Sequence, residues 1–360
     1  MTQRTQKLER PGPAISGHPA AGLSAIVYGL GTMGRVVVPM LLEKGVHVVG
    51  AINRSTDVGR DVGEVCGLGR SLGVTVSDRP EQVLETVHAD IAILCVATYA
   101  DEVLEHIRLC ARHGVDVITT AEELLFPWRT APVESATLER LAREHGVSIV
   151  SSGNQDFYWV NQGGRMAGTC HRSDRVLATS RYDVDDFGPV LAKDHKGGLT
   201  VAEFDAALRG QSARPSYMQV TADIVAADLD LRIKTIEEHV LPTTSDVPLH
   251  CAALGVDVPP GHVTGTRWRV EAETHEGVSM LLELDGRLYA PGETDLNRWT
   301  LEGEPTTVVE NPTPGTATVT CATLVNRIPD VVAAPPGLLT VIDLPRLRYR
   351  HRALHTYLDG

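Results

Sequence analysis

Residues 25–34 read AIVYGLGTMG, a short apolar strand that runs into three glycines. The next residues, RVVVPMLLEKG, space their apolar side chains as a helix does. A strand, a Gly-rich turn and a helix in this order bind the pyrophosphate of a dinucleotide. The first glycine permits the tight turn, the second lets the backbone approach the phosphates, and the third allows close helix–strand packing. We therefore expect a cofactor-binding turn made of Gly29, Gly31, Thr32, Met33 and Gly34.

The composition limits the class of protein. A chain of 360 residues is long for one hydrophobic core and predicts two domains. The formal net charge of -13 argues against a nucleic-acid partner and against an anionic membrane surface. No stretch approaches the ~20 apolar residues of a membrane-spanning helix. The cysteines form no CxxC pair and the histidines no HExxH motif, so we expect a reduced, cytoplasmic protein without a metal site.

The order of secondary-structure patterns predicts an α/β protein. Strand-like and helix-like segments alternate up to about residue 150, which is typical of a Rossmann-type parallel sheet. Strand patterns joined by short polar connections follow, which predicts an α+β substrate domain with an antiparallel sheet. The expected parts are a flexible leader at 1–22, a Rossmann domain at 23–150, a substrate and dimerisation domain at 151–320, and a C-terminal helix and tail at 321–360 that packs back on the Rossmann domain.

Three later segments carry helical signals. The residues LTVAEFDAALRG predict a short helix that Thr200 caps together with Glu203. The segment 224–242, IVAADLDLRIKTIEEHVLP, predicts one longer helix. The segment 321–334 predicts a helix that runs to the residue before Pro329 and is kinked beyond it.

The end of the second strand, AINRST, bears on the cofactor. NAD sites usually place a carboxylate there for the ribose hydroxyls, whereas this chain offers Asn53, Arg54 and Ser55. Arg54 can pair with a 2′-phosphate through charge-assisted hydrogen bonds, which favours NADP over NAD. The alternative is a solvated surface arginine and a site that accepts both cofactors. Ala97 and Thr98 end a later strand, where they can line the nicotinamide ribose or simply terminate the strand.

Two adjacent acids follow another buried strand. In TTAEELLFPW, Glu122 and Glu123 stand just past the C-terminal end of that strand, near the expected nicotinamide position. Adjacent side chains diverge, so at most one faces the cleft. The alternative is that both lie in the first turn of a helix, where acids interact favourably with the helix dipole.

The segment SSGNQDFYWVN combines amides, a carboxylate and three aromatic side chains in a chain that is only 4% aromatic. Aromatic side chains such as Trp159 are typical of an apolar substrate pocket, with Asn154 or Gln155 fixing orientation. Ordinary interdomain packing is the alternative. Further along, His195 is a candidate polar contact or proton carrier near neutral pH, and a surface histidine is the alternative interpretation.

Four motifs together resemble a known family. GLGTMG, DVGRDVGEV from Asp57, TTAEELLFPW and VNRIPDVVAAPPGLLTVIDLP at 325–345 are similar to the native amine dehydrogenases and the 2,4-diaminopentanoate dehydrogenases. That group shares the dihydrodipicolinate-reductase-like architecture, and the resemblance covers residues 24–345. The dihydrodipicolinate reductase signature HHxxKxDAPSGT is absent. GNQDFYW is closer to the substrate-pocket motif of native amine dehydrogenases than to the GVNPGF-like stretch of the diaminopentanoate enzymes.

The resemblance implies an activity and a catalytic residue. It assigns the catalytic carboxylate to Glu122 and implies a homodimer that catalyses reversible oxidative deamination. The leading hypothesis is an NADP-dependent amine dehydrogenase that acts on a small, fairly apolar amine or on a carbonyl with ammonia. An imine reductase or a diamino-acid dehydrogenase is the alternative enzyme. An NADPH-sensing regulatory protein is the non-enzymatic alternative.

Overall fold

The computed structural model describes residues 22–210, 214–312 and 314–358. The leader predicted at 1–22 lies outside the described residues, apart from Gly22. The chain divides into two compact units. Unit 1 comprises Met1–Phe157 and Ala317–Gly360, and unit 2 comprises Tyr158–Thr316.

The strands and helices follow one another in an alternating order up to the end of the sixth strand. They are β1 Leu23–Tyr28, α1 Thr32–Glu43, β2 Val46–Ile52, α2 Val62–Val65, β3 Val76–Ser77, α3 Pro80–Thr86, β4 Ile91–Leu94, α4 Ala100–Arg112, β5 Asp116–Thr119, α5 Pro132–His145 and β6 Ser148–Ser151. A 3₁₀ turn at Glu122–Leu125 lies within this stretch, and a π-helical turn at Asp156–Asn161 follows it.

The remaining elements form unit 2 and then return to unit 1. They are α6 Gln162–Ala167, β7 Arg172–Asp183, α7 Pro189–Asp194, α8 Val201–Arg209, α9 Tyr217–Asp228, β8 Ile233–Thr244, β9 Leu249–Cys251, β10 Val256–Val258, β11 Val263–Thr274, β12 Ser279–Arg287, β13 Leu296–Glu304, β14 Thr307–Asn311, α10 Thr316–Val332 and β15 Gly337–Leu339. The helix predicted around Thr200 is confirmed, with Thr200 and Glu203 forming a capping box.

Unit 1 is built on a parallel sheet. Within the described residues, seven strands lie in the order β15-β6-β5-β4-β1-β2-β3, and every neighbouring pair is parallel. All residues of β1, β4, β5 and β6 are buried, as expected for strands covered on both faces. The strand order reverses at β1, so the C-terminal ends of β1 and β4 border the crevice where such sheets bind ligands. The predicted Rossmann-type fold is confirmed.

Unit 2 is built on a mixed sheet. In its described part the strand order is β14-β13-β7-β12-β11-β8, in which β7 and β12 pair parallel and the other neighbours antiparallel. Helix α9 packs against β8, β11 and β12 and is buried along most of its length. The α+β character of this part is confirmed, with one parallel pair added to the expected antiparallel pattern.

The long helix predicted over 224–242 is wrong. Helix α9 ends at Asp228, and Asp230 has a left-handed backbone with φ of 56°. From Ile233 the chain pairs antiparallel with β11 over its whole length, with exposure alternating from residue to residue. Pairing with a neighbouring strand outweighs the helical propensity of KTIEEHV, because strand preference depends on tertiary packing.

The helix end predicted before Pro329 is also wrong. Helix α10 continues through Pro329 to Val332, and the N–H of Ala333 still donates to the carbonyl oxygen of Pro329 at 3.1 Å. Ion pairs hold this last turn, since Asp330 accepts a hydrogen bond from Arg350 at 2.6 Å. A proline one turn from a helix end removes few hydrogen bonds, so local contacts suffice to continue the helix.

Candidate active site

The Gly-rich turn combines two close backbone approaches with one open position. Gly29 has φ of +100°, and a Cβ atom there would lie 2.4 Å from the carbonyl oxygen of Cys95. A Cβ atom at Gly34 would lie 2.1 Å from the carbonyl oxygen of Gly29. At Gly31, by contrast, no described atom lies within 4 Å of the Cβ position. The open space at the second glycine fits a pyrophosphate that approaches the main chain.

The first turn of α1 is suited to an anion. Its N-cap is Gly31, which offers no side-chain acceptor, and the first turn holds no acidic residue. The first N–H groups and the positive end of the helix dipole are therefore available to phosphate oxygens. Thr32 is exposed, and Met33 is partly buried, its carbonyl oxygen accepting a hydrogen bond from Cys321 Sγ at 3.4 Å. These residues fit the cofactor that the fold implies.

The loop after β2 carries no acid at the position where NAD sites use one. Asn53 Nδ2 donates to the carbonyl oxygen of Thr56 at 3.0 Å and to its hydroxyl at 2.6 Å, so Asn53 closes the loop. Arg54 and Ser55 follow it and are exposed. Of the predicted residues in this loop, Arg54 therefore offers its charge to solvent, while Asn53 holds the backbone in shape.

An ion-pair cluster joins this loop to the first turn of α1. The Asp57 carboxylate accepts hydrogen bonds from Arg35 Nη2 at 2.5 Å and from Arg60 Nη1 at 2.6 Å. Sequence reasoning did not single out these three residues as a group. Arg35 directly follows Gly34, and Asp57 and Arg60 open the quoted DVGRDVGEV motif, but nothing in a sequence pattern shows that the two segments meet.

The two adjacent acids after β5 have different partners. Glu123 is buried and its carboxylate accepts the backbone N–H of Ala100, the first residue of α4, at 2.8 Å. Its own N–H donates to the carbonyl oxygen of Thr98 at 3.1 Å. Glu123 thus caps a helix and ties the 3₁₀ turn to the connection between β4 and α4. Both acids stand in the first turn of a short 3₁₀ helix, as the helical alternative predicted. Their side chains also have different partners, so the two expectations are compatible.

Glu122 has a different environment from Glu123. It is partly buried, and burial raises the pKa of its carboxyl to about 7, against the opposing effect of a hydrogen bond with the Thr98 side chain. A carboxyl whose pKa lies near neutrality, at the C-terminal edge of a parallel sheet, is a candidate acid–base group. The same edge carries the Gly-rich turn after β1 and the partly buried Ala97 and Thr98. The prediction that these two residues end a strand is wrong, because β4 ends at Leu94 and both lie in its connection to α4.

The segment after β6 is held by a buried ion pair. Arg327 donates to both carboxylate oxygens of Asp156, at 2.6 and 2.8 Å, and both side chains are fully buried. Gln155 is buried and donates to the carbonyl oxygen of Ser152 at 3.1 Å, so its amide is engaged locally. Asn154 differs, because its Oδ1 is buried without a hydrogen-bond partner in the described part of the chain. Asn154 therefore retains an acceptor for a bound group.

His195 lies in the interior of unit 2, so the surface alternative for it is wrong. It is 2% exposed, and burial lowers the pKa of its imidazole to about 4. Because a carbonyl oxygen only accepts, Nδ1 donates to the Leu191 carbonyl at 2.9 Å. Nε2 then accepts the Tyr182 hydroxyl at 2.7 Å. The ring is therefore neutral at pH 7 and orients the Tyr182 hydroxyl. Orienting this hydroxyl does not require His195 to carry a proton.

Trp159 belongs to an aromatic cluster in the same unit. Its ring stacks on Tyr217 with a centroid distance of 5.5 Å, and the Tyr217 hydroxyl lies 3.4 Å from that of Tyr182. Trp159 Nε1 and Asn297 Oδ1 are both buried without a partner among the described residues. Both residues line a cavity of about 10 Å³, room for one water-sized molecule. The roles of Tyr182, Tyr217 and Asn297 escaped sequence reasoning, since no motif marks them.

Two features are absent from the described residues. Among them, no group of three or more His, Cys, Asp or Glu side chains could hold a metal ion. No described helix is both long and apolar enough to cross a membrane.

The fold and the site define a class of protein. A seven-stranded parallel sheet in the described residues, a Gly-rich turn open at its second glycine, and a carboxyl with a raised pKa at the same sheet edge are the features of a nicotinamide-dependent dehydrogenase.

Comparisons with known proteins agree with this class. Residues 23–154 match the dihydrodipicolinate reductase N-terminus family, and residues 165–355 match the 2,4-diaminopentanoate dehydrogenase C-terminal domain family. The solved structure of the amine dehydrogenase from Mycobacterium smegmatis is 46% identical, with a TM-score of 0.88 over 93% of this chain and 100% of that one. The chain therefore belongs to the family of amine and 2,4-diaminopentanoate dehydrogenases and is an NAD(P)-dependent oxidoreductase, as the motifs predicted.

Two curated relatives are more distant. The 2,4-diaminopentanoate dehydrogenase of Acetoanaerobium sticklandii is 26% identical over 353 residues, which cover 90% of this chain and 93% of that protein. The amine dehydrogenase of Streptomyces virginiae is 24% identical over 364 residues, covering 90% of this chain and 96% of that protein. The relatives thus carry both of the names that the sequence motifs suggested.

Proposed function

We propose that this protein is an NADP-dependent amine dehydrogenase, which interconverts a small amine with the corresponding ketone or aldehyde and ammonia. The observation that carries the proposal is the raised pKa of Glu122. This carboxyl is partly buried, and burial raises its pKa to about 7. The family relationship supports the reaction type, and the solved relative that is 46% identical bears the name amine dehydrogenase.

A carboxyl with this pKa suits both halves of reductive amination. Ammonia adds to the carbonyl carbon to give a carbinolamine, and Glu122 in its acid form protonates the departing hydroxyl so that water leaves. The resulting carboxylate then stabilises the iminium cation electrostatically. Near neutral pH both forms of the carboxyl are populated, so one group can do both tasks. When bound, the nicotinamide ring supplies the hydride to the iminium carbon.

The residues around Glu122 would hold the cofactor. The α1 N-terminus and Gly31 would bind the pyrophosphate, and Ala97 and Thr98 would border the nicotinamide ribose. Thr98 also contacts the Glu122 side chain, which lowers the carboxyl pKa against the effect of burial. Thr98 would therefore restrain the catalytic carboxyl as well as the cofactor.

The preference for NADP rests on the loop after β2. Arg54 is exposed there and no acid occupies positions 53–56, so a 2′-phosphate meets a positive charge rather than a negative one. A charge-assisted hydrogen bond of this kind contributes about 1.5–3 kcal/mol, which corresponds to a preference of roughly 10- to 100-fold.

The substrate proposal is a small, fairly apolar amine or carbonyl. The aromatic rings of unit 2, with Trp159 stacked on Tyr217, support an apolar partner. We assign Asn154 a direct polar contact because its Oδ1 lacks a partner among the described residues. Gln155 and His195 are engaged in hydrogen bonds within the protein, so we assign them the positioning of neighbouring groups. A homodimer in the cytoplasm completes the proposal: the dimer rests on the family resemblance, and the location rests on the scattered cysteines, which form no CxxC pair.

Steady-state oxidation of NADPH tests the function. A panel of small ketones and aldehydes is offered with and without ammonia, and cyclic imines are offered alone. We expect turnover only when carbonyl and ammonia are both present. Turnover of preformed imines without any response to ammonia would instead identify an imine reductase. Tight NADPH binding with no turnover of any substrate would indicate a regulatory sensor.

A further inference from the structure

Asp57 holds two arginines from different segments beside the loop where the adenosine ribose of a dinucleotide binds. Arg35 lies in the first turn of α1, and Arg60 lies three residues after Asp57. The Asp57 side chain is only 9% exposed, whereas those of Arg35 and Arg60 are 44% and 49% exposed. The acid is therefore shielded, and the two guanidinium groups form the solvent-facing side of the cluster.

Each guanidinium is fixed by a second contact. Arg35 Nη1 donates to the carbonyl oxygen of Val65 at 2.9 Å, and Arg60 Nη2 donates to Glu64 Oε1 at 2.7 Å. A guanidinium carries five N–H donors, so both groups keep donors beyond these contacts. The Asp57 backbone is left-handed, with φ of 60°, a strained conformation for a residue other than glycine. The strained residue is therefore the same one whose carboxylate binds both arginines.

Three arginines, Arg35, Arg54 and Arg60, are concentrated in this loop and the adjoining helix turn, and two carboxylates, Asp57 and Glu64, pair with Arg35 and Arg60. The third carboxylate of the stretch, that of Asp61, instead accepts hydrogen bonds from Ser71 and from backbone N–H groups of the segment that follows. Exposed ion pairs contribute little to stability, so folding alone does not explain an arrangement of this kind. Guanidinium groups with unused donors, held in fixed positions, are the usual recognition element for a phosphate.

We propose that Arg35 and Arg60, held in place by Asp57, form together with Arg54 the site for the phosphate on the 2′ carbon of the adenosine ribose. Asp57 is a positioning residue in this account. The inference rests on the NADP preference in the proposed function and extends it to residues outside the 53–55 segment. It distinguishes this site from one in which Arg54 acts alone.

Binding of two nucleotide probes to the ligand-free protein tests the inference without any turnover. Adenosine 2′,5′-bisphosphate carries the extra phosphate, and adenosine 5′-monophosphate lacks it. Calorimetry compares wild type, R35A, R60A, R54A and R35K. R140A is the matched control, because Arg140 is also exposed and paired with a carboxylate, that of Glu144, on a distant helix. Melting temperatures verify that each variant is folded.

We expect R35A and R60A each to weaken bisphosphate binding about 10- to 100-fold and to leave monophosphate binding unchanged. R35K keeps the charge but loses the planar fork, so we expect an intermediate loss. R140A should match wild type. Equal weakening of both probes in R35A would overturn the inference, because Arg35 would then bind the pyrophosphate.

The outcomes also separate this inference from the proposed NADP preference. If wild type binds both probes equally, the NADP preference itself fails. If wild type prefers the bisphosphate and only R54A loses that preference, NADP specificity stands and the arginine cluster is no part of it.

Discussion

The carboxylate of Glu123 accepts the backbone N–H of Ala100 at 2.8 Å and so caps the helix that follows β4. This contact separates the tasks of two acids that are neighbours in sequence. Because Glu123 is committed to the helix N-terminus, Glu122 is the acid of the pair to which we assign the proposed chemistry. The raised pKa of Glu122 has burial as its main cause, and its carboxyl also contacts the side chain of Thr98, in the connection between β4 and α4.

The raised pKa of Glu122 has a consequence for stability. Between the ordinary value of 4.5 and the folded value of about 7, the unfolded chain ionises this carboxyl while the folded protein keeps it protonated. The Glu122 carboxyl therefore contributes its full share of stability below the unfolded pKa of 4.5. This contribution is lost as the pH rises through the folded pKa of about 7. We expect E122Q to be stabilised relative to wild type by up to about 3 kcal/mol more at pH 8 than at pH 5.

Melting temperatures of the ligand-free proteins at the two pH values measure this difference. A constant offset between E122Q and wild type across the range would show that the folded carboxyl titrates at its ordinary value.

The two glycines of the cofactor turn should respond differently to alanine. G34A places a Cβ atom 2.1 Å from the carbonyl oxygen of Gly29, so we expect a loss of about 1–3 kcal/mol in stability. G31A meets no described atom within 4 Å, so the protein should fold normally. NADPH binding, followed by fluorescence, should nevertheless weaken about 10-fold in G31A, because the methyl group occupies the phosphate position. Unchanged NADPH affinity in G31A would place the pyrophosphate elsewhere.

The Asp156–Arg327 pair should be essential to folding. Both side chains are fully buried, so R327L removes the guanidinium that neutralises the Asp156 carboxylate in the interior. We expect R327L to lower the free energy of unfolding by about 3–5 kcal/mol. The double variant D156L/R327L removes both charges and should recover much of that loss. Thermal melting of the three proteins decides the matter, and an R327L variant as stable as wild type would contradict the account.

The sequence was sufficient where the signal was local. The Gly29–Gly34 turn could be predicted because the strand, the three glycines and the helix follow one another directly in the sequence, although the closest neighbour of Gly29 is Cys95 after β4. The α9–β8 region could not, since the strand from Ile233 is stabilised by pairing with β11, which lies further along the chain. A helical spacing of apolar residues carries no information about that partner.

In the candidate site too, local features could be predicted from the sequence and contacts between distant segments could not. Sequence position placed Glu122 and Glu123 at the correct sheet edge, but only the contact with Ala100 assigns the capping role to one of them. Arg35 and Asp57 are 22 residues apart, so their ion pair had no local signal. His195 drew attention as a titratable residue, yet its burial against Tyr182 is a property of the folded sheet.

The central claim is that Glu122 performs the acid–base chemistry, and a matched pair of variants tests it most directly. Ammonia-dependent oxidation of NADPH is measured for wild type, E122Q and E123Q with the best carbonyl of the panel. We expect kcat to fall about 100- to 1000-fold in E122Q, as in other enzymes that lose one preorganised stabilising group. E123Q should lose about 0.5–2 kcal/mol of stability with its helix cap but keep kcat within a few-fold. Full activity in E122Q, together with a loss of activity in folded E123Q, would contradict the assignment of the acid–base role to Glu122.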